Sequence, residues 1–97
     1  MDKYKEKILE ICQPKKKYIY TQFEIFNVLV NSFSIHIYKY DYEYSINTRL
    51  YPTDRYIITE DKDLSKCFGK FVIEILDHCG EDIKNKIKEI IDERHPL

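Results

Sequence analysis

With 97 residues, 43% of them hydrophobic and 34% charged, the chain has room for one core and not two; a domain of this size buries roughly 60–65% of its unfolded surface. That balance excludes a disordered segment and a membrane-embedded one, and a net charge of −1 supplies no global field to hold nucleic acid. The charge is uneven, because residues 1–20 hold six lysines against three acids and the remainder is net acidic.

A helix is predicted from Asp2 to Gln13. Tyr4, Ile8, Ile11 and Cys12 recur at helical spacing as one apolar stripe, Asp2 can cap the N-terminus, and Pro14 stops further winding. The first twelve residues are charged throughout and lack the apolar centre of a signal peptide. FEIFNVLV, the longest mostly apolar run, is too short to span a bilayer. The three cysteines are an odd number with no framework spacing, so a reducing, cytoplasmic setting is expected. Alanine is absent and lysine far exceeds arginine, a bias that follows AT-rich codons.

Lys15, Lys16 and Lys17 form a basic connector. The segment Tyr18–Asn31 then has two readings. As a helix it offers Thr21 and Glu24 as a capping box, with Tyr20 and Ile25 as a staple. As a strand it is rich in β-formers and folds back through Asn31-Ser32, setting Val30 opposite Phe33, Val28 opposite Ile35, Phe26 opposite Ile37 and Glu24 opposite Lys39. The coherence of that pairing favours the strand.

From Tyr38 the chain alternates: Tyr38, Tyr40, Tyr42, Tyr44 and Ile46 at even positions, Lys39, Asp41, Glu43 and Ser45 at odd ones. On an unbroken strand this makes one aromatic face and one charged face. The preceding Phe33, Ile35 and Ile37 fall in the opposite phase, which calls for a bulge near Tyr38, a turn near Asp41, or two partly covered faces. Tyr51-Pro52-Thr53-Asp54 reads as a β-turn, and Arg55–Thr59 as a returning strand. Asp63 caps a helix from Leu64 to about Cys79, with Leu64, Cys67, Phe68, Phe71, Val72, Ile75, Leu76 and Cys79 as its stripe. Within it, Gly69 allows close packing on a strand, and Gly80 ends it as a left-handed cap. A last helix carries Ile83, Ile87, Ile90 and Ile91, with Glu81 and Asp82 at its positive end and Arg94 in its last turn.

The expected fold is therefore α+β: an N-terminal helix, an antiparallel sheet of three or four strands, and two C-terminal helices packed on one face, in a single domain over residues 1–97.

Chemistry is thinly represented. Cys67 and Cys79, twelve positions apart on one helix, lie about 18 Å from each other and cannot share an ion; no metal or cofactor is expected. His78 points about 100° away from Cys79 around the helix, and the nucleophile, phosphate-loop and metalloprotease motifs are missing. With Gly69 and Gly80 as its two glycines, the chain cannot build a glycine-rich phosphate cradle. The expected role is that of a small, non-enzymatic binding protein, of the phage- or plasmid-type inhibitor or immunity class, that occludes a larger protein. Its contact surface would be the tyrosine strand: Tyr38, Tyr40, Tyr42 and Tyr44 with Lys39, Asp41 and Glu43, since tyrosine gives large amphipathic contact area. The same row could instead be core beneath the helices. The alternative partner is a nucleic acid, with bases stacking on the tyrosines and Lys15, Lys16 and Lys17 taking phosphates. No membrane partner is expected, and pairing of two copies is compatible with this reading.

Overall fold

The computed structural model of the chain describes residues 2–14, 18–50 and 55–95. Asp2 opens the first helix as expected, its carboxylate accepting the Tyr4 backbone N–H at 2.7 Å. Helix α1 (Lys3–Ile11) follows and buries Ile8 and Ile11. Its C-terminal carbonyls are satisfied by side chains: Gln13 Nε2 donates to Leu9 O at 2.8 Å, and Gln22 Nε2 to Ile11 O at 2.9 Å.

The segment expected as a strand is a helix. α2 (Ile19–Val30) buries Thr21, Ile25 and Leu29, an i, i+4, i+8 stripe. The alternation that set Val28 opposite Ile35 and Phe26 opposite Ile37 was real spacing read in the wrong period. The deciding partner is distant: α2 lies along α4 (Glu81–Arg94). Glu24, expected opposite Lys39, instead pairs with Arg94 of α4. Thr21 is not the cap either. The helix starts three residues earlier, with Tyr18 at the cap position, and the Thr21 hydroxyl shares a 2.9 Å hydrogen bond with His95 Nε2. Tyr20 stands 76% exposed, so it forms no staple with Ile25.

Phe33 N–H closes the end of α2 on Leu29 O at 2.8 Å and leads into β1 (Ile35–Lys39), which pairs with β2 (Tyr44–Leu50), which pairs with β3 (Arg55–Asp61). Among the described residues these form one three-stranded antiparallel sheet in the order β1-β2-β3. Of the three ways to reconcile the phases around Tyr38, the chain uses the turn: residues 40–43 join β1 to β2, with Tyr40 N–H donating to Glu43 O at 2.8 Å. The expected turn Tyr51–Asp54 lies outside the described residues.

Helix α3 (Leu64–His78) begins as the sequence predicts, with Asp63 Oδ1 accepting from Lys66 N–H at 2.9 Å. It lies across β2 and β3 on one face of the sheet. Phe71, Val72 and Ile75 on that helix are completely buried, each such side chain contributing about 1.5–3 kcal/mol by leaving water. Thr59 of β3 ties sheet to helix, its hydroxyl donating to Cys67 O at 3.2 Å, while Cys67 Sγ donates to Thr59 O at 3.3 Å. Two glycine expectations change. Gly69 faces α1 and not a strand, its nearest neighbour being Cys12. Gly80 has φ −72° and ψ 169°, extended rather than left-handed, and serves as the N-cap of α4.

The architecture is thus α+β, with an N-terminal helix, a three-stranded antiparallel sheet and two C-terminal helices packed together. α3 forms the layer on the sheet, while α4 packs on α2 and α1. The α1–α4 seam is polar at its rim: Tyr4 Oη donates to both carboxylate oxygens of Asp92 at 3.1 Å.

Candidate functional site

Residues paired across antiparallel strands share a face. Ile37 pairs with Ile46, and Ile46 with Thr59; Ile35 pairs with Thr48, and Thr48 with Ile57. Ile46, Thr48, Ile57 and Thr59 are buried, so this face lies under α3. The opposite face carries His36 and Tyr38 on β1, Ser45, Asn47 and Arg49 on β2, and Tyr56, Ile58 and Glu60 on β3. It is open to solvent: Tyr38 is 47% exposed, Tyr56 61% and Ile58 59%.

The open face has a profile. Along β1 the rings of His36 and Tyr38 lie 6.2 Å apart and nearly parallel, and Tyr38 and Tyr40 continue the stack at 6.5 Å. Along β3, Tyr56 and Ile58 project in the same direction. Between them β2 contributes Ser45, which is buried, the half-buried Asn47 and the longer Arg49. With neighbouring strands about 4.8 Å apart, the two outer rows stand about 10 Å from each other across polar β2. The exposed aromatic and aliphatic side chains of this face thus stand in two rows on its outer strands.

The expected tyrosine row is only partly preserved. Tyr38 and Tyr40 belong to the open face. Tyr42 is at the turn, 84% exposed. Tyr44, beyond the turn, falls in the other phase, packs against the core on the helix side and has Lys39 Nζ 5.6 Å from its ring centroid. Lys39 likewise lies on the helix-side face, paired with Tyr44. Asp41 and Glu43 sit in the turn and form no charged strand face. The reason is the turn itself: four residues leave the ladder, and the even positions that pointed one way before it point the other way after it. Lys15, Lys16 and Lys17 lie outside the described residues. The site contains members the sequence reading missed, His36, Tyr56 and Ile58. The alternation in RYIIT was their signal, since it places Tyr56 and Ile58 opposite Ile57.

The other chemical groups are dispersed. Among the described residues no three His, Cys, Asp or Glu side chains cluster as metal ligands. Cys12 is buried, which pushes its thiol up to about 12, and burial raises Cys67 and Cys79 as well, the reverse of an activated nucleophile. His78 Nδ1 hydrogen-bonds its own helix at Glu74 O, 2.9 Å away. Among the described residues, no helix is long and apolar enough to cross a membrane. Compared with protein-family models, curated proteins and solved structures, the chain shows no match.

Proposed function

We propose that this protein is a small, non-enzymatic cytoplasmic binding module of the phage- or plasmid-type inhibitor class, which occludes a larger protein through the open face of its sheet. The observation that supports this reading is the pair of exposed rows on the outer strands. Tyr38, Tyr40, Tyr56 and Ile58 are held in solvent by a rigid sheet whose other face already supplies the core. Aromatics held on a sheet lose little entropy on binding and serve as anchors. The stacked His36, Tyr38 and Tyr40 also favour a second reading, a single-stranded nucleic acid whose bases stack on the rings. Glu60 offsets Arg49 on that face, and Asp41 and Glu43 beside it leave the surroundings net acidic, which weighs against a phosphate backbone.

A photo-reactive side chain at position 56, introduced in the cell that encodes the protein, should capture a protein partner. With that partner purified, Tyr56→Ala and Tyr38→Ala should each weaken binding by about 2 kcal/mol or more while the thermal transition stays in place. Joint replacement of Lys15, Lys16 and Lys17 by alanine should mainly slow association. Tight, salt-sensitive binding to a short RNA or DNA, lost on that triple replacement, would establish the nucleic-acid reading instead.

A further inference from the structure

Among the described residues, no strand pairs with the outer edge of β1, and that edge has a geometry of its own. Tyr40 N–H donates to Glu43 O, so Tyr40 and Glu43 form a hydrogen-bonded pair. Such pairs alternate with non-bonded ones along an antiparallel ladder. Stepping back along the register, Tyr38 with Ser45 and His36 with Asn47 are hydrogen-bonded pairs. The backbone N–H and C=O groups of Ile35, Ile37 and Lys39 therefore point away from β2, toward the open edge of the sheet. β3, the other edge, is flanked by Arg55 at one end and by Glu60, Asp61 and Lys62 at the other. β1 has no proline or bulge and carries one charged residue at its end, so it lacks most of the devices that keep edges unpaired.

Beside this edge runs an apolar groove of about 270 Å³ between α2, β1 and the start of α3. Ile19 is 42% exposed there, Phe23 58%, Ile37 48% and Leu64 42%. The groove's polar side chains are turned to neighbours within the chain, Gln22 bonding Ile11 O and Ser65 bonding Gln22 Oε1. Its walls thus call for apolar company.

We infer that the occupant is a second copy of this chain, paired antiparallel along β1 about a two-fold axis at Ile37, so that two three-stranded sheets join into one of six strands. The edge is self-complementary in this register. Ile37 faces its own counterpart as a hydrogen-bonded pair, and Ile35 faces Lys39 on each side of the axis, so all three outward residues exchange both of their backbone bonds. No like charges stand opposite each other on the paired strands. Both helical layers fall on the same side of the joined sheet, and the two grooves meet above the paired Ile37 side chains, bringing Phe23 and Ile19 of each copy toward those of the other. Ile19, Phe23, Ile37 and Leu64, each about half exposed, supply with the strand edge the apolar centre that a stable interface of ~800 Å² per partner needs. The open faces become contiguous on the other side. The dimer and the partner-binding reading share the β1 rim at Tyr38, whereas Tyr56 and Ile58 lie two strands away from the axis, so loss of the dimer in Phe23→Lys and loss of partner capture in Tyr56→Ala report on the two separately.

The test is sedimentation velocity on the full chain from micromolar to millimolar concentration, with hydrogen exchange resolved to single amides. The expected result is a species of twice the 11.8 kDa chain mass, with the Ile35, Ile37 and Lys39 amides becoming protected in step with dimer formation. Ile37→Pro removes an outward donor and leaves the bonds to β2 intact; Phe23→Lys places like charges across the axis. Both should be monomeric with an unchanged circular-dichroism spectrum. If Ile37→Pro fails to fold, Phe23→Lys and the amide protection decide. A chain that stays monomeric at millimolar concentration overturns the inference, as does a dimer that survives Phe23→Lys or leaves the Ile37 amide exchanging freely.

Discussion

Gly69 in the middle of α3 presses on Cys12 at the end of α1: a β-carbon on Gly69 would lie 2.8 Å from Cys12 Cβ. This contact brings the two helices together at a point where neither has side-chain volume to yield. Gly69→Ala sets two effects against each other. The helix gains about 1 kcal/mol of propensity, while overpacking against a buried, nearly immovable Cβ costs about 1–3 kcal/mol. The overpacking should win, lowering the urea-unfolding free energy by about 1 kcal/mol. A variant more stable than the parent would show that α1 can move aside.

Tyr42 lies in the turn and Tyr44 opens the strand beyond it, and the two should differ in consequence. Tyr42 is 84% exposed and its replacement by alanine should change stability by less than about 0.5 kcal/mol. Tyr44 packs on the core beneath Lys39, and Tyr44→Ala should cost about 2 kcal/mol, less than a fully buried aromatic would. Equal effects in chemical denaturation would refute the assignment of the two side chains to different environments.

Acid should weaken the fold in two windows. His95 hydrogen-bonds Thr21 and packs its ring edge-on against Tyr18 at 4.6 Å. Burial, and then the positive charge of Lys7, lower its pKa below the ordinary 6.5, with Glu10 opposing. The fold therefore prefers the neutral imidazole. Its contribution is complete above pH 6.5 and is lost as pH falls from there through the folded pKa. Asp61 follows at lower pH. Its 2.8 Å ion pair with Lys70 and the Asp63 N–H hold its carboxyl below 3.8, so its contribution is present above that value and is lost beneath it. In urea melts, His95→Gln should flatten the stability profile between about pH 7 and pH 5 and leave the lower step. An unchanged profile in that range would exclude His95 as its source.

The three thiols should react in sequence. Cys12 is 2% exposed with a thiol pKa pushed up to about 12, Cys67 is fully buried, and Cys79 is half-buried at the end of α3. A thiol reagent on the native protein should modify Cys79 first, and Cys12 and Cys67 only as fast as the core opens. Titration in denaturant should return three free thiols. Fewer than three, or stoichiometric zinc by elemental analysis, would contradict this.

Where a segment's partner is local, its residues announced it. Asp2 and Asp63 cap the helices they were expected to cap, and the stripe from Cys67 to Leu76 is the buried side of α3, because a 3.6-residue period leaves no second way to bury those side chains. The candidate site was half legible. Tyr38 and Tyr40 are on the open face, but the turn that sends Tyr44 to the other side depends on where the ladder closes, and in residues 40–43 Asp41 is the one turn-favouring residue, too weak a signal to decide between a turn there and a bulge near Tyr38.

Composition and periodicity by themselves determined an α+β domain with helices at both ends, a strand region between them, and cysteines placed as hydrophobes. Only tertiary structure decided that 19–30 is a helix. IYTQFEIFNVLV is apolar often enough to satisfy both a period of 2 and a period of 3.6, so its local energetics leave the two forms close. The difference came from α4, whose isoleucine stripe needed an apolar ridge to lie against. It met that ridge in Thr21, Ile25 and Leu29, with Arg94–Glu24 and His95–Thr21 joining the two helices at one end. With α2 drawn to α4, β1 was left as a sheet edge and the tyrosine face without a cover. That consequence rests on contacts 70 residues and more apart in the chain, beyond the reach of any local pattern.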